Sequence, residues 1–171
     1  MRGKFWFAIV LALCTASWTQ SAGAQGYLGG YVGIGLGTVS TTNNCCGSSD
    51  GLIGVYYDRT IRHHVYVGAD IHAAGENFSF WGAGPRVGVP LFKGFLTPYA
   101  EGVFGSANHI VYTNPNTYPS GSTLGSAYGV DIAHNPYVKF RMQYDMGNAG
   151  GDVNTDFSVF TFGFVVRIKT R

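Results

Sequence analysis

The chain has 171 residues, of which 46% are hydrophobic, 15% aromatic and only 12% charged, a size and balance that suit one domain with a packed apolar surface. It contains no continuous apolar run of about 18 residues, so it carries no helix long enough to span a bilayer. Taking off the first 24 residues leaves 11 − 2 = 9 Lys and Arg against 9 Asp and Glu, a neutral balance that gives nucleic-acid binding no basic patch to rest on.

The N-terminus explains that subtraction. Arg2 and Lys4 precede an apolar run from Phe5 to about Ala16, and Ala22-Gly23-Ala24 fits a small-residue cleavage site. This is the pattern of an export signal peptide over residues 1–24, with Gln25 beginning the mature domain, 25–171. A membrane anchor would need about 20 apolar residues, more than this run supplies. Cys14 follows Leu13, which is too large for a lipidation motif.

After Gln25 the apolar residues recur at period two, which predicts strands. The first covers about Tyr27 to Val39, with Leu28, Val32, Ile34 and Leu36 on one face and Tyr27, Gly29, Tyr31, Gly33 and Gly35 on the other. The others run from Leu52 to Asp58, Val65 to Ala73, Phe78 to Leu91, Leu96 to Ala107, Leu124 to Ala133, Tyr137 to Met146 and Phe157 to Lys169. In the seventh, Val138, Phe140, Met142 and Tyr144 alternate with Lys139, Arg141, Gln143 and Asp145. Connections alternate too: Ser40 to Asp50, Asn108 to Thr123 and Gly147 to Thr155 are long, whereas Arg59 to His64, Lys93-Gly94 and His134 to Pro136 are short. Ala74 to Asn77 breaks the rule by being short at the long-loop end.

The last strand gives the alternation a direction. Phe160, Phe162, Phe164, Val166 and Ile168 share one face, opposite Thr161, Gly163 and Arg167. Eight strands each turning five such residues inward would overfill a small barrel, whose interior is only just wide enough for side chains. The Gly-rich parities fit the crowded inside. The expectation is an all-β, eight-stranded antiparallel transmembrane β-barrel, lipid-facing outside and polar inside, with every backbone group paired by closure.

Several motifs carry a family resemblance. Pro98-Tyr99-Ala100-Glu101-Gly102, Gly129-Val130-Asp131 and Arg141-x-Gln143-x-Asp145 resemble the later strands of small outer-membrane barrels of the OmpA/OmpX type. Thr161-x-Gly163-x-x-Val166-x-Ile168 is similar to the barrel-assembly signal of that family, although Lys169-Thr170-Arg171 stand where the family closes on an aromatic residue. The resemblance implies a bacterial outer-membrane location, outer-membrane lipid as surroundings and the barrel-assembly machinery as a partner in biogenesis.

The interior is expected to hold a charge network of Asp70, Arg86, Glu101, Asp131, Lys139, Arg141 and Asp145. A turn at Lys93-Gly94 makes pairing partners sum to 187, which sets Arg86 opposite Glu101 within reach of an ion pair. Isolated buried charges are costly, so these groups must be paired. A structural plug is the leading reading, a gate or proton path the other. Glu101→Ala is accordingly expected to destabilise the barrel. Cys45 and Cys46, in the first long loop, could form a strained vicinal disulfide in an oxidising compartment or bind a metal. His63 and His64 belong to a turn at the opposite end and are not metal partners for them.

No catalytic, cofactor or metal site is expected. Ser106 and His109 lie near each other, but not in the His-x-Ser spacing of lipid-deacylating barrels, and no acid stands beside them. His72 is read as an interior residue and His134 as a turn residue. Trp81, Tyr57, Tyr144 and Phe92 fit an interfacial aromatic girdle. The function expected is a non-enzymatic membrane scaffold that displays its loops for adhesion or envelope contacts. Asn108 to Thr123, with Tyr112, Pro115, Tyr118 and Pro119, is the favoured contact surface. A small-solute pore is the alternative. A soluble lipocalin-like binder would need Phe160, Phe162 and Phe164 inside.

Overall fold

The computed structural model describes residues 25–41, 44–61, 65–75, 78–109, 120–150 and 155–170. Residues 1–24, and with them the expected signal peptide, lie outside the described residues, as do His63 and His64. Eight antiparallel strands close into a barrel in sequence order. They are β1 (Gly26–Thr41), β2 (Asn44–Ile61), β3 (Val65–Gly75), β4 (Phe78–Gly88), β5 (Leu96–His109), β6 (Ser120–Ala133), β7 (Val138–Ala149) and β8 (Thr155–Thr170). Closure comes from β1 against β8, paired from Gly26↔Thr170 to Thr41↔Thr155.

The parity assignment follows the sequence. Ile34, Leu36, Ile53, Ile71, Leu124, Phe164, Val166 and Ile168 are exposed on the outer face, while Asp70, Arg86, Glu101, Asp131, Lys139, Arg141 and Gln143 are buried inside. Phe160 and Phe162 also lie exposed on the outer wall, while Val159, Thr161 and Val165, on the other parity of the strand, are buried. The lipocalin-like reading therefore fails. An apolar outer band around a polar interior is the reverse of a soluble barrel and the arrangement that hydrocarbon demands.

The strands run further than the sequence predicts. The Ser-, Thr-, Asn- and Gly-rich segment expected as a long first loop is strand on both sides, to Thr41 in β1 and from Asn44 in β2. Cys45 and Cys46 are thus strand residues opposite Ser40 and Val39, not loop residues, and their side chains fall outside the description. Ladder hydrogen bonds need no apolar side chains, and β1 is held here by β8 as well as β2. Composition alone misplaces such a boundary.

The β4–β5 connection also differs. β4 ends at Gly88 instead of Leu91, and a Leu91↔Leu96 bridge closes a four-residue turn instead of a two-residue one. Phe92, Lys93 and Gly94 take positive φ of 49°, 58° and 85°. Both turns are centred between Lys93 and Gly94, so the register is unaffected and Arg86 pairs with Glu101. At the β6–β7 turn, Asn135 Oδ1 accepts from the Tyr137 and Val138 backbone N–H groups at 2.8 Å each, a side-chain substitute for a backbone turn.

Candidate functional site

The site is the barrel lumen. Period-two alternation sends every second side chain inward, and closure leaves them one shared volume. Large residues lie across from small ones: Arg86 pairs with Gly68, Asp70 with Gly84, His72 with Gly54 and Gly82, and Arg141 with Gly163. The inward glycines therefore mark where neighbouring side chains need room.

Three of them serve a second purpose. Tyr31 lies opposite Gly54, Tyr56 opposite Gly29 and Tyr99 opposite Gly129. A Cβ on any of these glycines would run into its tyrosine ring. The rings thus lie flat over the glycine backbone and turn a face toward the lumen, the arrangement in which an aromatic residue compensates for a strand glycine. Two guanidinium groups occupy those faces. The Arg86 guanidinium lies 3.8 Å from the Tyr99 ring centre and 4.3 Å from that of Tyr56, and the Arg141 guanidinium lies 4.1 Å from that of Tyr31. Such contacts are worth about 2 kcal/mol each when desolvated.

The charges close around these two arginines. Arg86 Nη1 donates to Glu101 Oε1 at 2.6 Å and Nη2 to Asp131 Oδ2 at 3.2 Å, while Nε faces Asp58 Oδ1 at 3.3 Å. Arg141 grips Asp131 with a two-pronged pair, Nε to Oδ1 at 2.8 Å and Nη2 to Oδ2 at 3.0 Å. Lys139 Nζ stands 3.9 Å from Asp131 Oδ2 and 3.5 Å from Thr97 Oγ1. Asp131 therefore meets all three buried cations. Both arginines are nearly sealed from solvent, at 2% and 1% exposure.

A second chain of contacts runs toward the end bearing the longer connections. Tyr31 Oη donates to Asp70 Oδ1 at 2.7 Å, and His72 Nδ1 lies 2.9 Å from the same oxygen. His72 Nε2 faces Asp145 Oδ1 at 3.4 Å. Gln143 Nε2 donates to both Asp145 oxygens, and its own Oε1 accepts from Tyr99 Oη at 2.8 Å. Above His72 lies an apolar layer, with Phe80 5.7 Å from the His72 ring and Phe157 4.9 Å from Phe80.

All seven residues expected in the interior charge network, Asp70, Arg86, Glu101, Asp131, Lys139, Arg141 and Asp145, are buried in this lumen. The sequence reading left out Asp58, His72, Gln143 and the three tyrosines as members of the network. Their parity was the available signal, because each sits on the inward set of its strand. Ser106 pairs with Trp81 and Ser122, neither an acid nor a base, and the side chain of His109 lies outside the description. Tyr57, Trp81, Phe92 and Tyr144 are exposed on the outside, and His134 is exposed in the β6–β7 turn.

No protein-family model matches the chain, and no curated protein sequence does. Solved structures do match. Neisserial surface protein A is 16% identical, with a TM-score of 0.59, over 84% of this chain and 98% of that one. Ail, the attachment invasion locus protein of Yersinia pestis, is 10% identical with a TM-score of 0.63, over 84% of this chain and 99% of its own. A second Ail structure, in complex with the heparin analogue sucrose octasulfate, gives 11% identity and a TM-score of 0.59 over the same share of this chain. The chain therefore has the fold of small eight-stranded outer-membrane barrels, the architecture expected of the OmpA/OmpX type.

Proposed function

We propose that the protein is a bacterial outer-membrane barrel, closed to solutes, that works as a rigid scaffold for the hairpins above its rim. The observation that carries this reading is the filled lumen. Arg86 and Arg141, each laid on tyrosine rings and tied to Asp131, occupy its middle, and Phe80 with Phe157 covers one end. A pore would need a continuous file of water through these groups. The enzymatic reading gains no support from Ser106 and its neighbours. The test is conductance of the folded protein in a planar bilayer: silence fits the scaffold, and steady conductance would replace it with a small pore.

The hairpins are long enough to act as displayed surfaces. A membrane strand needs about 9–11 residues, whereas β1, β2 and β8 have 16, 18 and 16. β3 pairs with β2 only from Gly51 onward, so among the described residues the β2 backbone from Asn44 to Asp50 pairs with β1 alone, beyond the end of β3. A free strand edge of this kind suits a partner that adds a strand of its own.

Charge narrows the partner further. Segments 37–51, 74–79, 107–123 and 147–157, all at the rim end, contain no Lys or Arg. Outside the lumen, the cations after residue 24 are Arg59, Arg62, Lys93, Arg167, Lys169 and Arg171, which the chain order assigns to the opposite end. A sulfated glycan such as the heparin analogue in the Ail complex would find no fixed cation at this rim. A protein or neutral-glycan partner, met by the amide- and hydroxyl-rich hairpins, fits better; Tyr112, Pro115, Tyr118 and Pro119, expected from the sequence as the contact surface, lie outside the described residues. Retention of the folded protein on heparin at physiological salt would overturn that preference.

A further inference from the structure

We propose that Asp70, His72 and Glu101 form a binding site for one divalent transition-metal ion, of the Zn²⁺ or Mn²⁺ type, inside the lumen. One donor atom from each residue lies within 4.8 Å of the others. His72 Nδ1 is 2.9 Å from Asp70 Oδ1 and 4.0 Å from Glu101 Oε2. Donors bound about 2.0–2.2 Å from one ion lie roughly 2.9–4.3 Å apart, so a small shift of the Glu101 carboxylate brings all three around a common centre.

Two further observations point to a ligand here. The first is an unused donor: Arg86 takes Glu101 Oε1, but Glu101 Oε2, fully buried, has no hydrogen-bond partner and faces the histidine. Among the described residues Asp70 Oδ2 likewise lacks a hydrogen-bond partner. The second is the support behind each donor. A metal-bound histidine commonly gives its other ring N–H to a carboxylate, which fixes its tautomer and orientation. His72 Nε2 faces Asp145 at 3.4 Å, and Asp145 is itself held by Gln143 on both oxygens. Asp70 is oriented by Tyr31 and Glu101 by Arg86.

The charges also suit an ion. Among the described residues the buried carboxylates Asp58, Asp70, Glu101, Asp131 and Asp145 number five, against the three fixed buried cations Arg86, Lys139 and Arg141. With His72 neutral, as a metal ligand must be, the excess is 5 − 3 = 2 negative charges, which one divalent ion neutralises; without the ion, an imidazolium between Asp70 and Asp145 would offset one of them. An uncompensated charge in this volume would be very costly. The mixed set of one imidazole and two carboxylates suits Zn²⁺ or Mn²⁺ better than a thiolate-loving ion. Phe80 and Phe157 lie over the rim side of the site, so the ion is expected to enter as the barrel folds.

The test uses a parent chain whose other four histidines, His63, His64, His109 and His134, are replaced by glutamine, so that His72 is the single imidazole. This chain, His72→Gln and Glu101→Gln are refolded into detergent with Zn²⁺ or Mn²⁺, and folding is checked by the gel-mobility difference between heated and unheated samples. Metal is then counted by mass spectrometry after an EDTA wash. The expected result is about one ion per folded parent chain and a roughly tenfold or greater loss in each variant. Should either variant fail to fold, pulsed electron paramagnetic resonance of the Mn²⁺-loaded parent decides, since coupling to one imidazole nitrogen is expected. A parent that holds no metal, a folded His72→Gln that holds as much as the parent, or bound Mn²⁺ without nitrogen coupling overturns the proposal. In the first case the two excess charges are balanced by protons.

Discussion

Replacing Arg86 by methionine tests whether the lumen is a tied network or a loose filling. Methionine keeps most of the aliphatic stem, so the loss falls on the guanidinium. That group makes two charge-assisted hydrogen bonds, to Glu101 at 2.6 Å and Asp131 at 3.2 Å, and lies on Tyr99 and Tyr56. Hydrogen bonds to charged groups contribute about 1.5–3 kcal/mol each, and removing one partner of a buried ion pair costs about 3–5 kcal/mol. Asp58, Glu101 and Asp131 would be left facing one another with Arg141 and Lys139 as the remaining fixed cations. The expected destabilisation is about 4 kcal/mol. In equilibrium urea unfolding in detergent micelles, with a slope of about 2 kcal/mol per molar, the midpoint falls by about 2 M. A cycle with Glu101→Gln isolates the pair, and a coupling of about 1.5 kcal/mol or more is expected. A midpoint change below about 0.5 M, or no coupling, would refute the network.

Three other outcomes follow from the same geometry. Gly129→Val pushes a branched side chain into the Tyr99 ring and so lifts that ring from Arg86; a loss of about 1–3 kcal/mol is expected in the same unfolding assay. Phe162→Arg sets a charge on the exposed outer wall and is expected to cost about 2–4 kcal/mol, whereas a neutral effect would show that this face does not meet lipid. Arg141→Ala removes a guanidinium lying on Tyr31 and bound at two points to Asp131, and if that group seals the lumen, the variant should show conductance steps in a planar bilayer where the parent is silent.

Much of the architecture was legible because the barrel writes a strict period-two signal. Lys139, Arg141, Gln143 and Asp145 alternate with Val138, Phe140, Met142 and Tyr144, and the structure keeps those sets on opposite faces. The pairing of Arg86 with Glu101 was legible from turn position alone, since register depends on where the turn is centred and not on how many residues it holds. Two things were not legible. The upper reach of β1 and β2 is rich in Ser, Thr, Asn and Gly, which read as loop, yet it is fixed by backbone pairing on neighbouring strands that no local window contains. The meeting of Asp70 and His72 with Glu101 depends on how far each side chain reaches across a closed lumen. Spacing places Asp70 and His72 on one face of β3; closure alone brings Glu101 to them from β5.

Closure also explains why a chain so poor in charge uses its charge as it does. Outside the barrel a fixed charge would face hydrocarbon, and at the rim the sequence supplies no cations at all. Three of the nine Lys and Arg that follow residue 24 are instead buried at the barrel's middle, where each can reach several strands at once. Arg86 on β4 touches acids from β2, β3, β5 and β6, and Arg141 on β7 ties β6 to the tyrosine on β1. Neighbouring strands are already joined by their ladders, so these longer links add something the ladders do not: they resist flattening of the barrel's cross-section. The scaffold role proposed for this barrel depends on that resistance, because its long hairpins rise from the wall that these links brace.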